Sequence, residues 1–239
     1  MKFASSLVRG KLIKRYKRFL ADVLLDDGTT ITCTCPNTGS MRGLTEPGSI
    51  VWLSESDDPK RKYRHTWQMI ENNICGAPSL VGINTQHPNK LVSEAIEAGK
   101  IAPLKGYATA KREQKYGINS RIDILLEDEK KGRAYVEIKN VHLMRDPGYA
   151  EFPDSVTERG AKHLRELAEV AKQGDRAVML FLIQRSDANK IGLAADIDPG
   201  YTEAFKSAMA AGVEALAYRC DLTPEEIVIA RKIPVKHPR

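Results

Sequence analysis

Asp123, Glu137 and Lys139 are the residues of this chain whose types and spacing could support hydrolytic chemistry. Asp123 lies within residues 120–126 (SRIDILL), whereas Glu137 and Lys139 lie within residues 134–141 (AYVEIKNV). Apolar and polar residues alternate in both segments, which is typical of half-buried strands whose successive side chains point to opposite faces. The alternation places two carboxylates and an ammonium group on one polar face of a predicted hairpin.

The charged turn between these two strands sets the pairing of the hairpin. Centring the turn on Lys130 pairs Ile124 with Val136 and places Asp123 opposite Glu137. Two carboxylates held close together repel each other unless a cation lies between them. Mg²⁺ or Mn²⁺ meets this need, because a hard divalent cation prefers oxygen ligands and can also activate water and bind a phosphate. We therefore predict a Mg²⁺ or Mn²⁺ site, in which Lys139 orients or deprotonates the water or offsets charge that develops on the phosphate.

Three E-x-K triplets occur in the chain, and only one lies in a predicted half-buried strand opposite an aspartate. Glu129 falls in the predicted turn, and Glu113 lies in a mostly polar stretch predicted as the first strand. Glu137 is framed by apolar strand residues and faces an aspartate. Glu94 lies at the edge of the apolar stripe of a predicted helix, where it is either an exposed glutamate or a third acidic group facing the sheet.

The composition is that of an ordinary soluble protein. With 239 residues, 42% of them hydrophobic and 28% charged, the chain is long enough for two modest domains. No apolar run reaches the roughly 18–20 residues that span a membrane, and the N-terminal residues lack the apolar core of a signal peptide. The four cysteines indicate no disulfide framework, and Cys33 and Cys35 lack the two-residue spacing of zinc ligands. These features predict a cytoplasmic protein with reduced thiols and no membrane association; its oligomeric state stays open, a homodimer included.

Residues 1–86 contain short alternating segments separated by turn residues, which favours a small OB-like β-barrel. The segment from Phe19 to Leu25 alternates, with Phe19 and Val23 on the same face. Asp27-Gly28 follows directly and is a strong hairpin signal. We therefore predict a first domain with this barrel fold.

Basic residues are concentrated in two clusters of the predicted barrel, with five Lys or Arg in residues 11–18 and four in residues 60–64. Such clusters raise the local concentration of anions and suit a phosphate backbone. Each cluster also contains a tyrosine among its cations, as grooves for single-stranded nucleic acid do. Either cluster alone could be a solvated charged face, but two in one small domain favour nucleic-acid binding. The predicted binding residues of the barrel are Lys14, Arg15, Tyr16, Lys17, Arg18, Lys60, Arg61, Lys62 and Tyr63.

The pattern changes near residue 87, and residues 87–239 predict a second, α/β domain. Its order is a helix, three strands, a second helix and a further buried strand. Ser155 and Glu158 match a capping box at the start of the second helix. A helix followed by strands and another helix predicts a sheet covered by helices.

Cations also occur in the first half of the second predicted helix. Arg159 and Lys162 are candidate nucleic-acid contacts, although the charged outer face of an amphipathic helix explains them equally well. His163 is expected to be a surface histidine rather than a ligand or a base.

The predicted strand order and the D…E-x-K site together resemble the PD-(D/E)XK nuclease superfamily. The segments RYKRFLADV, CPNTGSM, SRIDILL, YVEIKNV and TERGAKHLREL extend the resemblance over nearly the full chain, to the sugar fermentation stimulation protein A (SfsA) family. This resemblance implies an N-terminal OB-like domain, a C-terminal nuclease-like domain with a mixed sheet, and DNA binding. By position it assigns Asp123, Glu137 and Lys139 to the nuclease motif, with Glu94 or Glu113 as the extra acidic metal ligand.

The predicted site and the basic barrel support three hypotheses about function. The first is a Mg²⁺-dependent nuclease that binds DNA or RNA on the barrel and hydrolyses a phosphodiester at the sheet. The second is a non-catalytic DNA-binding regulator of sugar-utilisation genes that keeps the nuclease fold as a scaffold. The third treats the three site residues as a surface ion cluster worth about 0–1 kcal/mol per pair. We favour the first, because only catalysis explains a lysine beside two carboxylates on this order of strands.

Overall fold

The computed structural model describes residues 1–117 and 120–236, which form a β-barrel followed by a larger α/β domain. Within that part of the chain, the barrel domain has six strands: β1 (Val8–Tyr16), β2 (Leu20–Leu25), β3 (Thr30–Thr34), β4 (Ile50–Glu55), β5 (His65–Asn72) and β6 (Ser79–Gly82). Their order is β3-β2-β1-β4-β5-β6, and a further pairing of β3 with β5 closes the first five strands. The predicted OB-like barrel is confirmed.

Apolar side chains at alternate strand positions fill the barrel. Leu12, Val23 and Trp67 are almost fully buried, and each such side chain stabilises the fold by roughly 1.5–3 kcal/mol. The predicted hairpin at Gly28 is also confirmed, because this residue adopts a φ of +88° in the turn between β2 and β3. Phe19 precedes β2 and is exposed, so the prediction that it shares the face of Val23 is wrong.

The larger domain is built on a six-stranded mixed sheet. In the described residues its α-helices are α1 (Pro88–Glu97), α2 (Glu158–Lys172) and α3 (Pro199–Ala210). Its strands are β7 (Thr109–Tyr116), β8 (Ser120–Asp128), β9 (Gly132–Val141), β10 (Leu143–Asp146), β11 (Tyr149–Phe152), β12 (Arg176–Ile183), β13 (Lys190–Leu193), β14 (Glu214–Leu222) and β15 (Ile227–Lys232). The main sheet has the order β15-β14-β12-β9-β8-β7, with β12 parallel to both neighbours and the other pairs antiparallel. Strands β10, β11 and β13 form a separate small sheet, which the sequence did not predict because each strand has only four residues.

Both faces of the main sheet are buried. On one face Leu91 of α1 belongs to the same core cluster as Leu180 of β12. On the other face Leu167 of α2 and Phe205 of α3 share a cluster with Phe181 of β12. Because adjacent residues of β12 are buried on opposite faces, this strand has the continuous apolar sequence expected of a sheet interior.

The β8–β9 hairpin has the predicted register, with Ile124 paired to Val136. The backbone ladder ends at this pair, so Asp123 and Glu137 lie just beyond the last paired residues. The Asp123 carboxylate accepts a hydrogen bond from the backbone N–H of Ile138 at 2.7 Å. The β8–β9 pairing leaves this N–H without a backbone partner, so the carboxylate satisfies it. The local break in pairing therefore directs the predicted catalytic aspartate toward β9.

Helix α2 begins with a different cap from the one predicted. Thr157 is the N-cap residue, and its hydroxyl accepts a hydrogen bond from the Gly160 N–H at 3.0 Å. The prediction that Ser155 and Glu158 form a capping box is therefore wrong. Asp198, at the start of α3, accepts the Thr157 N–H at 2.7 Å and thus fixes the start of α2 against its neighbouring helix.

The loop after β3, residues 35–41, connects the barrel to the larger domain. The Ser40 hydroxyl donates to the Asp154 carboxylate at 2.8 Å, and the Met41 N–H donates to the same carboxylate at 3.1 Å. The CPNTGSM segment therefore forms the junction between the domains.

Among the described residues no helix is long and apolar enough to cross a membrane. All four cysteines are free thiols, and three of them, Cys33, Cys35 and Cys220, are buried. Burial raises the pKa of the Cys33 thiol to about 12. A thiol that stays protonated is a poor nucleophile, so this cysteine fills the barrel core rather than forming a reactive site.

Candidate active site

A cleft of about 770 Å³ opens between the start of α1, the β7–β8 hairpin, β9 and the first half of α2. Asp123, Glu137 and Lys139 all line this cleft. The two strands that carry them are held rigidly in the middle of a sheet that is buried on both faces. The structure therefore brings the three predicted catalytic residues together.

Asp123 is fixed by one hydrogen bond to each carboxylate oxygen. Its Oδ1 accepts from the side-chain amide of Asn89 at 2.8 Å, and its Oδ2 accepts from the Ile138 N–H. Burial and the nearby Glu137 carboxylate raise the pKa of Asp123, and these two effects outweigh the hydrogen bonds and the attraction of Lys139. The charged form of Asp123 is therefore the destabilised one.

Glu137 is almost fully buried and uses its two oxygens differently. Its Oε1 accepts from the Lys139 ammonium at 2.8 Å and contacts Nδ1 of His163. Burial opposes ionisation, but the hydrogen bonds and charges of His163 and Lys139 outweigh it and lower the pKa of Glu137. Its Oε2 is buried and has no hydrogen-bond partner among the described residues. An ionised carboxylate with one buried, unpartnered oxygen is a ready ligand for a cation.

His163 is the main site residue that sequence reasoning missed. It is only 6% exposed, and its imidazole joins the Glu137 carboxylate to the guanidinium of Arg159, whose Nε lies 3.4 Å from His163 Nε2. The expectation of a surface histidine is therefore wrong. The spacing of residues could have predicted this burial. His163 lies three residues after Gly160 and four before Leu167, so all three face the buried side of α2.

Glu113, not Glu94, is the additional acidic residue in the cleft. The Asn89 amide that holds Asp123 also donates to Glu113 Oε1 at 3.0 Å. Glu113 has a φ of +53° and is left out of the β7–β8 pairing together with Asp123, which stands opposite it, while the register is the same on both sides. Its side chain lines the cleft. The side chain of Glu94 instead lies 3.2 Å from the amino group of Met1 and 3.8 Å from the Lys90 ammonium. We therefore correct the prediction that Glu94 is a metal ligand, because its half-exposed side chain forms ion pairs instead.

Four cations surround the acidic groups of the cleft: Arg112, Arg121, Arg159 and Lys162. Lys162 lies 3.7 Å from Glu166. The guanidinium groups of Arg112 and Arg121 form no hydrogen bond or ion pair with the described residues. Neither arginine was predicted, although Arg121 stands two residues before Asp123 on β8, where strand alternation places both side chains on one face. The cleft thus contains two arginines whose charges are available to an anionic ligand.

The donor set fits a hard divalent cation. No group of three His, Cys, Asp or Glu side chains in the described ranges is arranged to hold a metal ion by itself. Mg²⁺ does not need such a group, because it commonly binds through one or two carboxylates and completes its coordination with water and phosphate oxygens. Asp123 and the free Oε2 of Glu137 provide carboxylate oxygens in the cleft that could hold such an ion.

The predicted nucleic-acid residues of the barrel lie outside the cleft, and two of them have structural roles. The Arg15 guanidinium donates to the carbonyls of Arg18, Asn37 and Gly39 at 2.8–2.9 Å, so it holds loops together. The Tyr16 hydroxyl donates to Asp22 at 3.0 Å. We therefore correct the prediction that these two residues contact nucleic acid, because their polar groups form hydrogen bonds within the barrel domain.

The other barrel residues of the prediction remain available at the surface. The charged residues Lys17, Arg18, Lys60 and Arg61 are exposed, and Lys62 and Lys14 each lie over a neighbouring tyrosine ring, Tyr63 and Tyr16 respectively. Lys14 also lies 3.6 Å from the Asp22 carboxylate. The barrel therefore retains a cationic surface that is separate from the cleft.

Comparison with known proteins identifies the family. Residues 13–83 match the model of the SfsA N-terminal OB domain, and residues 86–226 match that of the sugar fermentation stimulation protein RE domain. This chain belongs to the SfsA family. Sugar fermentation stimulation protein homologues of Brucella ovis and Brucella melitensis are each 56% identical to it over 239 residues, which cover 100% of this chain and 99% of theirs.

A solved member of the SfsA family supports the same fold. The structure of Pyrococcus furiosus SfsA in complex with Ca²⁺ aligns with a TM-score of 0.86 and 28% identity, over 99% of this chain and 98% of that one. A repair endonuclease from Pyrococcus abyssi aligns over 92% of this chain and 89% of its own, with a TM-score of 0.32 and 13% identity.

Proposed function

We propose that this SfsA family member is a divalent-metal-dependent nuclease that hydrolyses phosphodiester bonds in nucleic acid. The observation that carries the proposal is the joint presence of Asp123, Glu137 and Lys139 in one cleft surrounded by cations. Acidic groups alone would repel a polyanion, and cations alone would bind it without chemistry. Their combination supports both binding and hydrolysis of a phosphate ester.

Asp123 and Glu137 would hold the metal ion, which we take to be Mg²⁺ or Mn²⁺. When bound, such an ion acts as a Lewis acid toward a phosphate oxygen and lowers the pKa of bound water. The relative from Pyrococcus furiosus was solved with Ca²⁺, another cation that prefers oxygen ligands, which supports extending a divalent-cation site to this chain.

Lys139 is the residue that we assign to the reacting groups. Its ammonium group is largely buried and is held 2.8 Å from Glu137 Oε1, so it keeps a fixed position in the cleft. In that position it donates a hydrogen bond to the attacking water or to a phosphate oxygen, and its charge offsets the negative charge that develops there. His163 and Asn89 act through the carboxylates, because each holds one oxygen of Glu137 or Asp123 in place.

The unpaired arginines of the β7–β8 hairpin bind the phosphate backbone beside the reacting group. Arg112 and Arg121 lie on the hairpin, whereas Arg159 and Lys162 belong to α2. Guanidinium groups suit this role because they bind phosphate through two parallel hydrogen bonds.

A cleavage assay tests the proposed function. Wild-type protein is incubated with single-stranded and duplex DNA and RNA in buffers that contain Mg²⁺, Mn²⁺ or EDTA. We expect cleavage with either metal and none in EDTA. Lys139→Ala should slow cleavage by about 10²–10⁴-fold, the usual contribution of a positioned proton donor, and should leave nucleic-acid affinity nearly unchanged.

Lys130→Ala is the matched control, because Lys130 is an exposed lysine in the turn at the far end of the same hairpin. Equal cleavage by wild type and Lys139→Ala would show that the site is wrongly assigned. Tight binding of DNA without cleavage under any metal condition would instead favour the non-catalytic regulator.

A further inference from the structure

Phe19 is an exposed aromatic residue that directly follows two exposed cations. Its side chain is 52% exposed, although large apolar residues of the barrel such as Leu12 and Trp67 are almost fully buried. It lies in the turn between β1 and β2, directly after Lys17 and Arg18. A phenyl ring in such a place is not explained by the barrel core.

The turn that presents Phe19 is held in an unusual conformation. Lys17 and Arg18 have φ values of +50° and +63°, which residues other than glycine adopt rarely and at a cost of about 1–3 kcal/mol each. Two hydrogen bonds maintain this conformation: the Arg15 guanidinium donates to the Arg18 carbonyl at 2.9 Å, and the Cys35 N–H donates to the Phe19 carbonyl at 2.7 Å. Both hold the backbone and leave the ring free to meet a ligand.

A second cationic loop lies at the same end of the barrel. Leu20, the first residue of β2, pairs with Thr34, which in turn pairs with Thr66 at the start of β5. The loop before β5 carries the basic cluster of residues 60–64. The exposed ring, Lys17, Arg18 and that cluster therefore lie at one end of the barrel, where their cations would attract a polyanion.

A chain of hydrogen bonds connects this end of the barrel to the cleft. Arg15 donates to the carbonyls of Asn37 and Gly39 in the loop of residues 35–41. The same loop accepts a hydrogen bond from Thr85, and Thr85 lines the cleft beside the acidic residues. The turn and the cleft consequently keep a fixed relative position, as two subsites for one extended ligand require.

We propose that Phe19 stacks on an unpaired nucleobase, so that the ligand is a nucleic acid with a single-stranded segment that continues from the barrel to the cleft. The proposal rests on the proposed function in taking nucleic acid as the ligand and the cleft as part of its binding site. Duplex DNA presents its phosphates outward and its bases stacked on each other, so a protruding phenyl ring offers it little. A single strand offers free base faces to the ring and phosphates to the flanking cations.

The test measures binding by fluorescence anisotropy in EDTA, with a labelled single strand and with the corresponding duplex. Phe19→Ala should weaken single-strand binding by about 5- to 100-fold, the range that aromatic-to-alanine changes at stacking sites produce. Duplex binding should change by less than about twofold, a limit we set as roughly the scatter of the assay. Leu24→Ala is the matched control, because Leu24 is an exposed apolar residue at the other end of β2 and should bind like wild type.

Phe19→Trp adds a direct observation of stacking. It should retain single-strand affinity, and its new tryptophan fluorescence should be quenched when the strand binds. Equal affinity of Phe19→Ala and wild type for a single strand would overturn the inference and leave the proposed nuclease standing. An equal loss of affinity for single strand and duplex in Phe19→Ala would also overturn it. So would a change in sedimentation of the Phe19→Ala protein without ligand, because that would show that Phe19 contacts a second copy of the chain. Failure of wild type to bind any nucleic acid would instead remove the proposed function.

Discussion

At the scale of single residues, the cleft is organised by how each carboxylate oxygen is used. Both oxygens of Asp123 already accept a hydrogen bond, whereas Glu137 directs both of its polar contacts to one oxygen and leaves the other free. An ion that binds at Oε2 of Glu137 therefore breaks no hydrogen bond that the protein makes. The proposed metal ion would therefore leave the contacts of Glu137 Oε1 with Lys139 and His163 in place.

The metal site can be tested by melting temperature without any substrate. Mg²⁺ at ten times its Kd should stabilise wild type by about 1.4 kcal/mol, because a ligand that binds only the folded state contributes RT ln(1 + [L]/Kd). For a chain of this size the melting temperature should rise by roughly 3–6 °C. Asp123→Asn should abolish the rise, and Glu113→Gln should reduce it. The measurement is a pair of thermal melts, with Mg²⁺ and with EDTA, at constant ionic strength.

Glu94→Gln is the control for that measurement and should show the full Mg²⁺ response, because the structure places Glu94 against Met1 and Lys90. Each variant is compared with itself, since replacing Asp123 by Asn also removes an acceptor from Asn89 or Ile138. Loss of the response in Glu94→Gln, or an undiminished response in Asp123→Asn, would contradict this assignment of ligands.

At the scale of elements, the β7–β8 hairpin carries the only unpaired arginines among the described residues that line the cleft. Changing both Arg112 and Arg121 to Ala should lower the affinity for nucleic acid. It should also flatten the plot of log affinity against log salt by about 0.7–0.9 for each phosphate that the variant no longer neutralises, because fewer counterions are released on binding. Titrations at several salt concentrations measure this slope.

Arg165→Ala provides the comparison for the hairpin arginines. Arg165 is an exposed arginine on α2 that does not line the cleft, so replacing it changes net charge and leaves the cleft intact. The slope of log affinity against log salt for Arg165→Ala should equal that of wild type. The same slope in the Arg112/Arg121 double variant as in wild type would move the phosphate-binding surface away from this hairpin.

At the scale of the whole molecule, Asp154 joins the two domains. Its carboxylate accepts from the Ser40 hydroxyl and from the Met41 N–H at 3.1 Å, and lies 3.3 Å from Nε2 of His142. Burial opposes ionisation of Asp154, but the interactions with His142 and the hydrogen bonds from the barrel loop outweigh it and hold its pKa well below the ordinary 3.8. The ionised form therefore stabilises the assembled domains.

The sign of the pH dependence follows from this lowered pKa. Stability from Asp154 is fully present above the unfolded pKa near 3.8 and is lost as the pH falls through the lower pKa of the folded state. Asp154→Asn should thus lower the free energy of unfolding by about 1.5–3 kcal/mol at neutral pH, the usual value of a hydrogen bond to a charged group. Thermal melts at descending pH should show the difference shrinking below pH 3.8.

Asp57→Asn is the control for the domain junction, because Asp57 is an exposed aspartate of the barrel and should melt like wild type at every pH. A deficit in Asp154→Asn that persists unchanged in strong acid would show that the effect comes from packing rather than from the ionised carboxylate.

The sequence alone determined the parts of this protein that depend on local pattern. Strand alternation and the charged turn were enough to pair Ile124 with Val136, and so to bring Asp123, Glu137 and Lys139 onto one patch of the sheet. Hairpins are predictable in this way because their two strands are close in the chain and the side-chain period is fixed. Short alternating segments likewise predicted the OB-like barrel, and the order of helices and strands predicted the second domain, in agreement with the family resemblance.

Only the tertiary structure decided which distant residues complete the site. His163 reaches Glu137 because α2 packs against β9, and Asn89 reaches Asp123 and Glu113 because α1 packs near the same strands. Arg15 is an example of the opposite kind. The sequence pattern predicted that it binds nucleic acid, but its guanidinium donates hydrogen bonds to carbonyls more than twenty residues away. Such interactions depend on how helices and loops fold over the sheet, and that arrangement is set by long-range packing, which leaves no periodic signal in the local sequence.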